Sequence, residues 1–213
     1  FGHTYETGTI DVLKKVLRPD DVVFDVGANI GWYTVNIVAC VPDGSCHAFE
    51  PMPLTMDRLK HNCDLNNVTS HVTFNQVALG DAAGEVTLYS FDTLGHGHNS
   101  LSTRGRSDYT TWKVPLTTLD SYANEREITR VDLVKMDVEG AEMGVLKGAS
   151  RLFDLDSPPV WIIEMNTETS AGFGHSPHDL LDYISSRGAY SFFRIERGWE
   201  GVFRMSHTRD YQH

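Results

Sequence analysis

Hydrophobic positions crowd together in Val22-Val23-Phe24-Asp25-Val26, a run interrupted by one acid that ends at Gly27 and gives way after Gly31 to a helical pattern. An unalternating, β-branched run of this kind predicts a strand buried on both faces, as in a parallel sheet. Gly27 and Gly31 stand where backbone must pass close to a ligand or to another element. Ile30 to Cys40 continues as a helix whose first N–H groups point towards whatever the glycine turn cradles. A dinucleotide fingerprint spaces its glycines G-x-G-x-x-G. Here the order is Asp25-x-Gly27-x-x-x-Gly31, with the acid inside the end of the strand, and the spacing favours a different ligand.

The remaining pattern alternates helices with strands. Ile10, Leu13, Val16 and Leu17 recur at helical spacing in an N-terminal segment (1–20) closed by Pro19. Cys46 to Phe49 predicts a second strand that ends at Glu50 and is stopped by Pro51, and Met52 to Asn66 an amphipathic helix. Val72 to Val77 predicts a third strand running into Ala78-Leu79-Gly80-Asp81, and Glu85 to Ser90 an extra one. From Phe91 to Trp112 periodicity dissolves, and a long aperiodic stretch inside a domain is usually functional or mobile. A strand at Val114 and a helix at Leu119 follow. Val131 to Gly140 holds a further strand in which period two puts Leu133, Lys135, Asp137 and Glu139 on one side; Ala141 to Lys147 begins a helix. Val160 to Asn166 is a fifth strand, Thr167 to Ser176 a polar loop and Pro177 to Arg187 a helix. Tyr190 to Ile195 and Gly201 to Met205 supply two last strands expected at an antiparallel edge. No repeat, low-complexity segment or linker interrupts the 213 residues, which predicts one α/β domain over 1–213.

Composition narrows the partners. Eighteen basic against twenty-nine acidic residues give a formal charge of −11, with no Lys/Arg cluster to offset it. Such a field repels phosphate backbones and anionic membranes, so neither nucleic acid nor a membrane is expected as a partner. Three cysteines, Cys40, Cys46 and Cys63, are too few and wrongly spaced for a disulfide framework or a zinc site. With no bilayer-length apolar run and no signal-peptide pattern, a cytoplasmic location is expected. Because the chain begins at Phe1, a preceding leader, anchor or further domain stays open.

Acids sit where strands end. Glu50, about twenty residues past the glycine turn, occupies the position from which a carboxylate holds a ribose. Lys135, Asp137 and Glu139 alternate at the end of a buried strand, where ionisable groups are costly unless paired or functional. Glu164, at the end of the fifth strand, is a candidate for orienting an acceptor hydroxyl, and His175 for a base or a surface loop residue. His96-x-His98 lacks a third ligand at a recognisable spacing, so no metal site is expected.

Asp25-x-Gly27-x-x-x-Gly31 resembles motif I of the class I S-adenosylmethionine-dependent methyltransferases. The longer string Asp25-Val-Gly-Ala-Asn-Ile-Gly31, together with Lys135-Met-Asp-Val-Glu-Gly-Ala-Glu142, resembles the FkbM family within that class. The resemblance implies a Rossmann-like, doubly wound, mostly parallel seven-stranded sheet with an antiparallel edge strand, in a three-layer sandwich. It implies S-adenosylmethionine as cofactor, held by Tyr5, Glu6, Asp25, Gly27, Asn29, Gly31, Glu50, Ala78, Leu79, Asp81 and Asp137. Lys135 and Glu139 then border the acceptor, and Glu139 or Glu164 is the candidate base if burial or mutual repulsion raises its pKa. The 91–112 stretch becomes a lid carrying acceptor specificity, with His96, His98, Asn99 and Ser100, and with His175 from the second loop, as acceptor contacts. The expected reaction is O-methylation of a hydroxyl on a small molecule, a sugar or natural product. A nitrogen acceptor, a divalent cation clamped by Asp137, Glu139 and Glu164, or a catalytically silent binding domain remain alternatives. A NAD-dependent oxidoreductase stands further off, since the third glycine of its phosphate loop has no counterpart. The oligomeric state is not legible.

Overall fold

The computed structural model describes residues 7–90, 99–101, 107, 109–195 and 205–207. The chain opens with α1 (Thr7–Val16), β1 (Val22–Val26), α2 (Trp32–Cys40), β2 (Ser45–Phe49), α3 (Pro53–Leu65) and β3 (Val72–Asn75). Four strands follow: β4 (Ala78–Leu79), β5 (Gly84–Ser90), β6 (Asn99–Ser100) and β7 (Thr110–Thr117). The alternation resumes with α4 (Leu119–Glu125), β8 (Leu133–Met136), α5 (Glu142–Lys147), α6 (Ser150–Phe153) and β9 (Val160–Ile163). The last elements are α7 (Thr167–Ala171), α8 (Pro177–Arg187), β10 (Phe193–Ile195) and β11 (Met205–His207).

The central sheet has the order β3-β2-β1-β8-β9 and every pair in it is parallel. Chain order reverses between β1 and β8, so the crevice at their carboxyl ends is the topological switch point where such sheets bind ligands. Both faces are covered because both are apolar. On one face Val23, Cys46 and Leu133 pack against Ile10 and Leu13 of α1 and Ile37 and Val38 of α2, while Ala48 meets Met56 and Leu59 of α3. On the other, Phe24, Val26, Phe49, Val134 and Met136 pack with Leu119, Tyr122, Val145, Leu146, Leu180 and Ile184 from α4, α5 and α8. The helix–sheet–helix layering is that of the expected three-layer sandwich.

The strand count differs from the expectation. The central sheet holds five parallel strands rather than seven, and no antiparallel strand is joined to it among the described residues. Antiparallel pairing occurs elsewhere, in a separate four-stranded sheet of order β4-β7-β5-β6. β10 and β11, expected at the edge of the main sheet, pair only with each other among the described residues. The reason lies in what alternation encodes: it tells which face of a strand is buried, not which strand it joins. Part of the stretch expected to be aperiodic is also strand, since Tyr89 and Ser90 pair with Ser100 and Asn99, and β7 already starts at Thr110. The expected loop after β9 contains α7, whose first N–H groups are capped by the Asn166 side chain, with Oδ1 2.9 Å from Glu168 N and 3.2 Å from Thr169 N.

Candidate active site

The site begins with an unusually close approach of two strand exits. Gly27, at φ +76°, carries no Cβ because one placed there would stand 1.8 Å from the carbonyl oxygen of Asp137. The turn after β1 therefore lies directly on the chain leaving β8. Gly27 N and Ala28 N both donate to Phe49 O at 3.0 Å, which ties the same turn to the end of β2. Gly31 has a different task. At φ +91° it caps α2, and a Cβ there would meet Leu59 Cδ1 at 2.5 Å, so it serves the packing of α2 on α3.

These exits line a cavity of about 90 Å³, bounded by Gly27, Asn29, Glu50, Ala78, Leu79, Asp137 and Glu139 among others. It adjoins a wider cavity of about 690 Å³ along the shared residues Leu79, Leu101 and Ala141. Two of the lining residues, Asn29 (φ +50°) and Glu139 (φ +55°), are non-glycine residues in the left-handed region. Such backbone costs of order 1–3 kcal/mol per residue and persists where the surroundings enforce it, commonly at ligand sites.

Glu50 is buried at the end of β2. Its Oε2 accepts from Asn29 N at 3.1 Å and its Oε1 from Met52 N at 2.9 Å. Burial pushes its pKa up to about 7, against the lowering effect of those two N–H groups. Each oxygen keeps a second lone pair, so the carboxylate has capacity for two more donors. Beside it, Asn29 Oδ1 is buried with no hydrogen-bond partner among the described residues.

Asp25 and Lys135 are neighbours in register across β1 and β8, and both point into the α1–α3 side of the sheet. Asp25 is fully buried; its Oδ2 accepts from Thr34 Oγ1 at 2.6 Å, and its Oδ1 lies 3.8 Å from Lys135 Nζ. Burial raises the Asp25 carboxyl, and Lys135 and Thr34 oppose that rise. Lys135 Nζ also stands 4.0 Å from Asp137 Oδ2 and 4.3 Å from the centre of the Tyr33 ring. The pair thus lies behind the cavity wall, and Asp137 is the member of the trio that lines it.

The other expected site residues divide clearly. Asp81 and His175 line the wider cavity, with Met143, Lys147, Phe173, Asp179 and Tyr183. Glu164 lines neither cavity; its N–H donates to Met136 O at 2.9 Å. The backbone of Asn99 and Ser100 forms β6. Tyr5, Glu6, His96 and His98 lie outside the described residues. Two contributions were not foreseen. Leu88 and Leu101, from the second sheet region, also line the narrow cavity. Glu142, buried at the start of α5, accepts from Gly140 N at 2.9 Å; its only signal was its place at the end of the Lys135–Glu142 string. Among the described residues no group of three or more His, Cys, Asp or Glu is arranged to hold a metal ion.

A parallel β3-β2-β1-β8-β9 sheet with a glycine turn after β1 and a buried carboxylate at the tip of β2 is a Rossmann-like architecture. The methyltransferase FkbM domain matches residues 25–192, and the chain belongs to that family of S-adenosylmethionine-dependent methyltransferases. It is 29% identical over 180 residues to the hexuronic acid methyltransferase AglP of Haloferax volcanii, covering 84% of this chain and 68% of AglP. It is 33% identical over 171 residues to the 31-O-demethyl-FK506 methyltransferase FkbM of Streptomyces tacrolimicus, covering 68% of this chain and 64% of that protein. Methyltransferase 1 of Beauveria bassiana is 34% identical over 148 residues, with 61% and 59% covered. The chain thus spans 59 to 68% of the length of these relatives. Among solved structures, a putative rRNA-methylase from Clostridium thermocellum superposes with a TM-score of 0.52 at 13% identity, covering 87% of this chain and 82% of the other, a likeness of fold. No helix among the described residues is long and apolar enough to cross a membrane.

The residues present fit the cofactor. Glu50 keeps acceptor capacity of the kind a pair of hydroxyls requires, Asn29 offers an unsatisfied carbonyl, and Gly27 leaves room for close backbone approach.

Proposed function

We propose that this chain methylates a hydroxyl oxygen of a small molecule, with Glu50, Asn29, Gly27 and Asp137 holding S-adenosylmethionine and Glu139 accepting the acceptor's proton. The observation that carries this reading is the position of Glu139: a carboxylate on a left-handed backbone, at the cofactor cavity, on the turn that also borders the wider cavity. S-adenosylmethionine, when bound, supplies a methyl group activated by a sulfonium. The residues around it orient, exclude water and move a proton. Asp137 is assigned to the cofactor's amine, and Lys135 Nζ stands 4.0 Å from its Oδ2. Ala78 and Leu79 give the apolar wall suited to a flat base.

The wider cavity fits the acceptor. Phe173, Tyr183, Met143, Leu101 and Leu116 offer apolar faces, while Asp81, His175 and Asp179 offer hydrogen-bonding groups, the combination that pockets for small hydroxylated molecules use. Holding an alcohol in line with the methyl supplies much of the acceleration, and a general base within reach adds about 10²–10⁴-fold. The likeness to a 31-O-demethyl-FK506 methyltransferase supports an oxygen acceptor, and the likeness to the hexuronic acid methyltransferase AglP supports a sugar among the candidate substrates.

The test is methyl transfer from labelled S-adenosylmethionine to a panel of sugars, uronic acids and matched amines, with and without EDTA. The expected product carries the methyl on oxygen, its formation is insensitive to EDTA, and Glu139→Ala lowers its rate at least about 100-fold. Methylation of the amines alone, or full activity in Glu139→Ala, contradicts the reading.

A further inference from the structure

The turn that carries Glu139 needs an external constraint. Glu139 (φ +55°) and Gly140 (φ +106°) are consecutive residues in the left-handed region. The backbone of Gly140 is also pressed against α7 and the turn that follows it, where a Cβ would lie 2.6 Å from both Thr169 O of α7 and Phe173 Cδ2 of the turn. A residue such as glutamate, left to itself, relaxes to the right-handed or extended basin.

Two side chains from different elements grip the Gly140 peptide groups. Gly140 N donates to Glu142 Oε1 at 2.9 Å, and Gly140 O accepts from His175 Nε2 at 2.9 Å, which places the ring proton on Nε2. Neither side chain lines the narrow cavity, whereas Val138, Glu139 and Ala141 around the gripped residue do. Glu142 is 2% exposed, and burial raises its carboxyl. Its second oxygen and His175 Nδ1 are buried without a hydrogen-bond partner among the described residues. A buried acid with half of its capacity unused is expensive. Its described side-chain hydrogen bond goes to the turn.

We propose that Glu142 and His175 are positioning residues that clamp Gly140 through its N–H and its carbonyl, and so hold the Val138–Ala141 turn in the shape that binds the cofactor. The proposal rests on the reading of the narrow cavity as the S-adenosylmethionine site. His175 also lines the wider cavity, so an acceptor seated there touches one jaw of the clamp.

The experiment is calorimetric titration with S-adenosylhomocysteine, paired with amide hydrogen exchange of the segment containing Gly140. Glu142→Leu and His175→Phe each remove one grip and keep bulk. Each is expected to weaken binding about tenfold, the equivalent of one well-made hydrogen bond, and to speed exchange at the turn. Glu142→Gln, which still accepts, and His175→Gln, which still donates, are expected to restore affinity to within about threefold of the parent, as a merely volumetric role would not. Should Glu142→Leu fail to fold, His175→Phe, at a half-buried loop position, carries the test. Parent-like affinity in the apolar variants, or Gln variants as weak as the apolar ones, overturns the clamp. If the parent itself binds no S-adenosylhomocysteine, the cofactor reading fails. The exchange data then judge the clamp alone, and unchanged protection at Gly140 in both apolar variants overturns it.

Discussion

At the scale of the residue, the carboxyl of Glu50 sets the pH range in which the site works. Burial holds its pKa up to about 7, above the ordinary 4.5. A raised acid favours the folded protein fully below its unfolded pKa, and that favour is lost as pH rises through the folded value, so the empty site is less stable at pH 8 than at pH 5 on this account. Ribose hydroxyls donate, and therefore need the ionised form. Binding of S-adenosylmethionine is expected to weaken about tenfold from pH 8 to pH 6 and to release a proton, a slope that titrations in buffers of different ionisation enthalpy resolve. Flat affinity across that range contradicts the role of Glu50. Its position was legible, since a short apolar strand ending in an acid and stopped by proline has few other meanings. Asp25 and Lys135 were legible as chemistry but not as depth. Parity along β1 puts Asp25 on the face of Val23, under α2, and Thr34 from that helix takes one carboxylate oxygen. The sequence shows the parity but not which face is sealed.

At the scale of the element, the site depends on two turns that touch. Gly27 allows the β1–α2 turn to lie on the Asp137 carbonyl, and Gly27→Ala meets both a 1.8 Å overlap and an unfavourable φ of +76°. Replacement is expected to destabilise the fold by at least about 2 kcal/mol and to abolish cofactor binding, as measured by denaturant unfolding and calorimetry. An alanine variant with parent-like stability and binding contradicts the packing described here. The strands of the central sheet were readable because parallel strands buried on both faces are predominantly apolar, as β1 and β8 are apart from Asp25 and Lys135. β7 was only half readable. Its Thr110-Thr111 start and internal Pro115 resemble loop sequence, and its hydrogen bonds go to β5, which periodicity does not name. α7 is a five-residue helix, too short for a helical period to register.

At the scale of the whole molecule, a chain with a formal charge of −11 places a crevice lined by Glu50, Asp137 and Glu139 at the switch point of its sheet. Such a field disfavours polyanionic acceptors and suits a cofactor that carries a sulfonium and an ammonium group. β5 supplies Leu88 and the residue after β6, Leu101, to the crevice, so the insertion between β3 and α4 contributes part of its wall. The family reading rested on two short strings, and the structure explains why they stand so far apart in sequence. Asp25–Gly31 and Lys135–Glu142 are the exits of adjacent strands, paired residue by residue from Val23–Leu133 to Val26–Met136. The most direct test of the central claim is calorimetric titration of the parent and of Glu50→Ala with S-adenosylmethionine and, separately, NAD. One S-adenosylmethionine is expected to bind per chain and no NAD, with binding lost in Glu50→Ala while its cooperative unfolding is retained. Binding of NAD instead, or unaltered S-adenosylmethionine binding in Glu50→Ala, would contradict it.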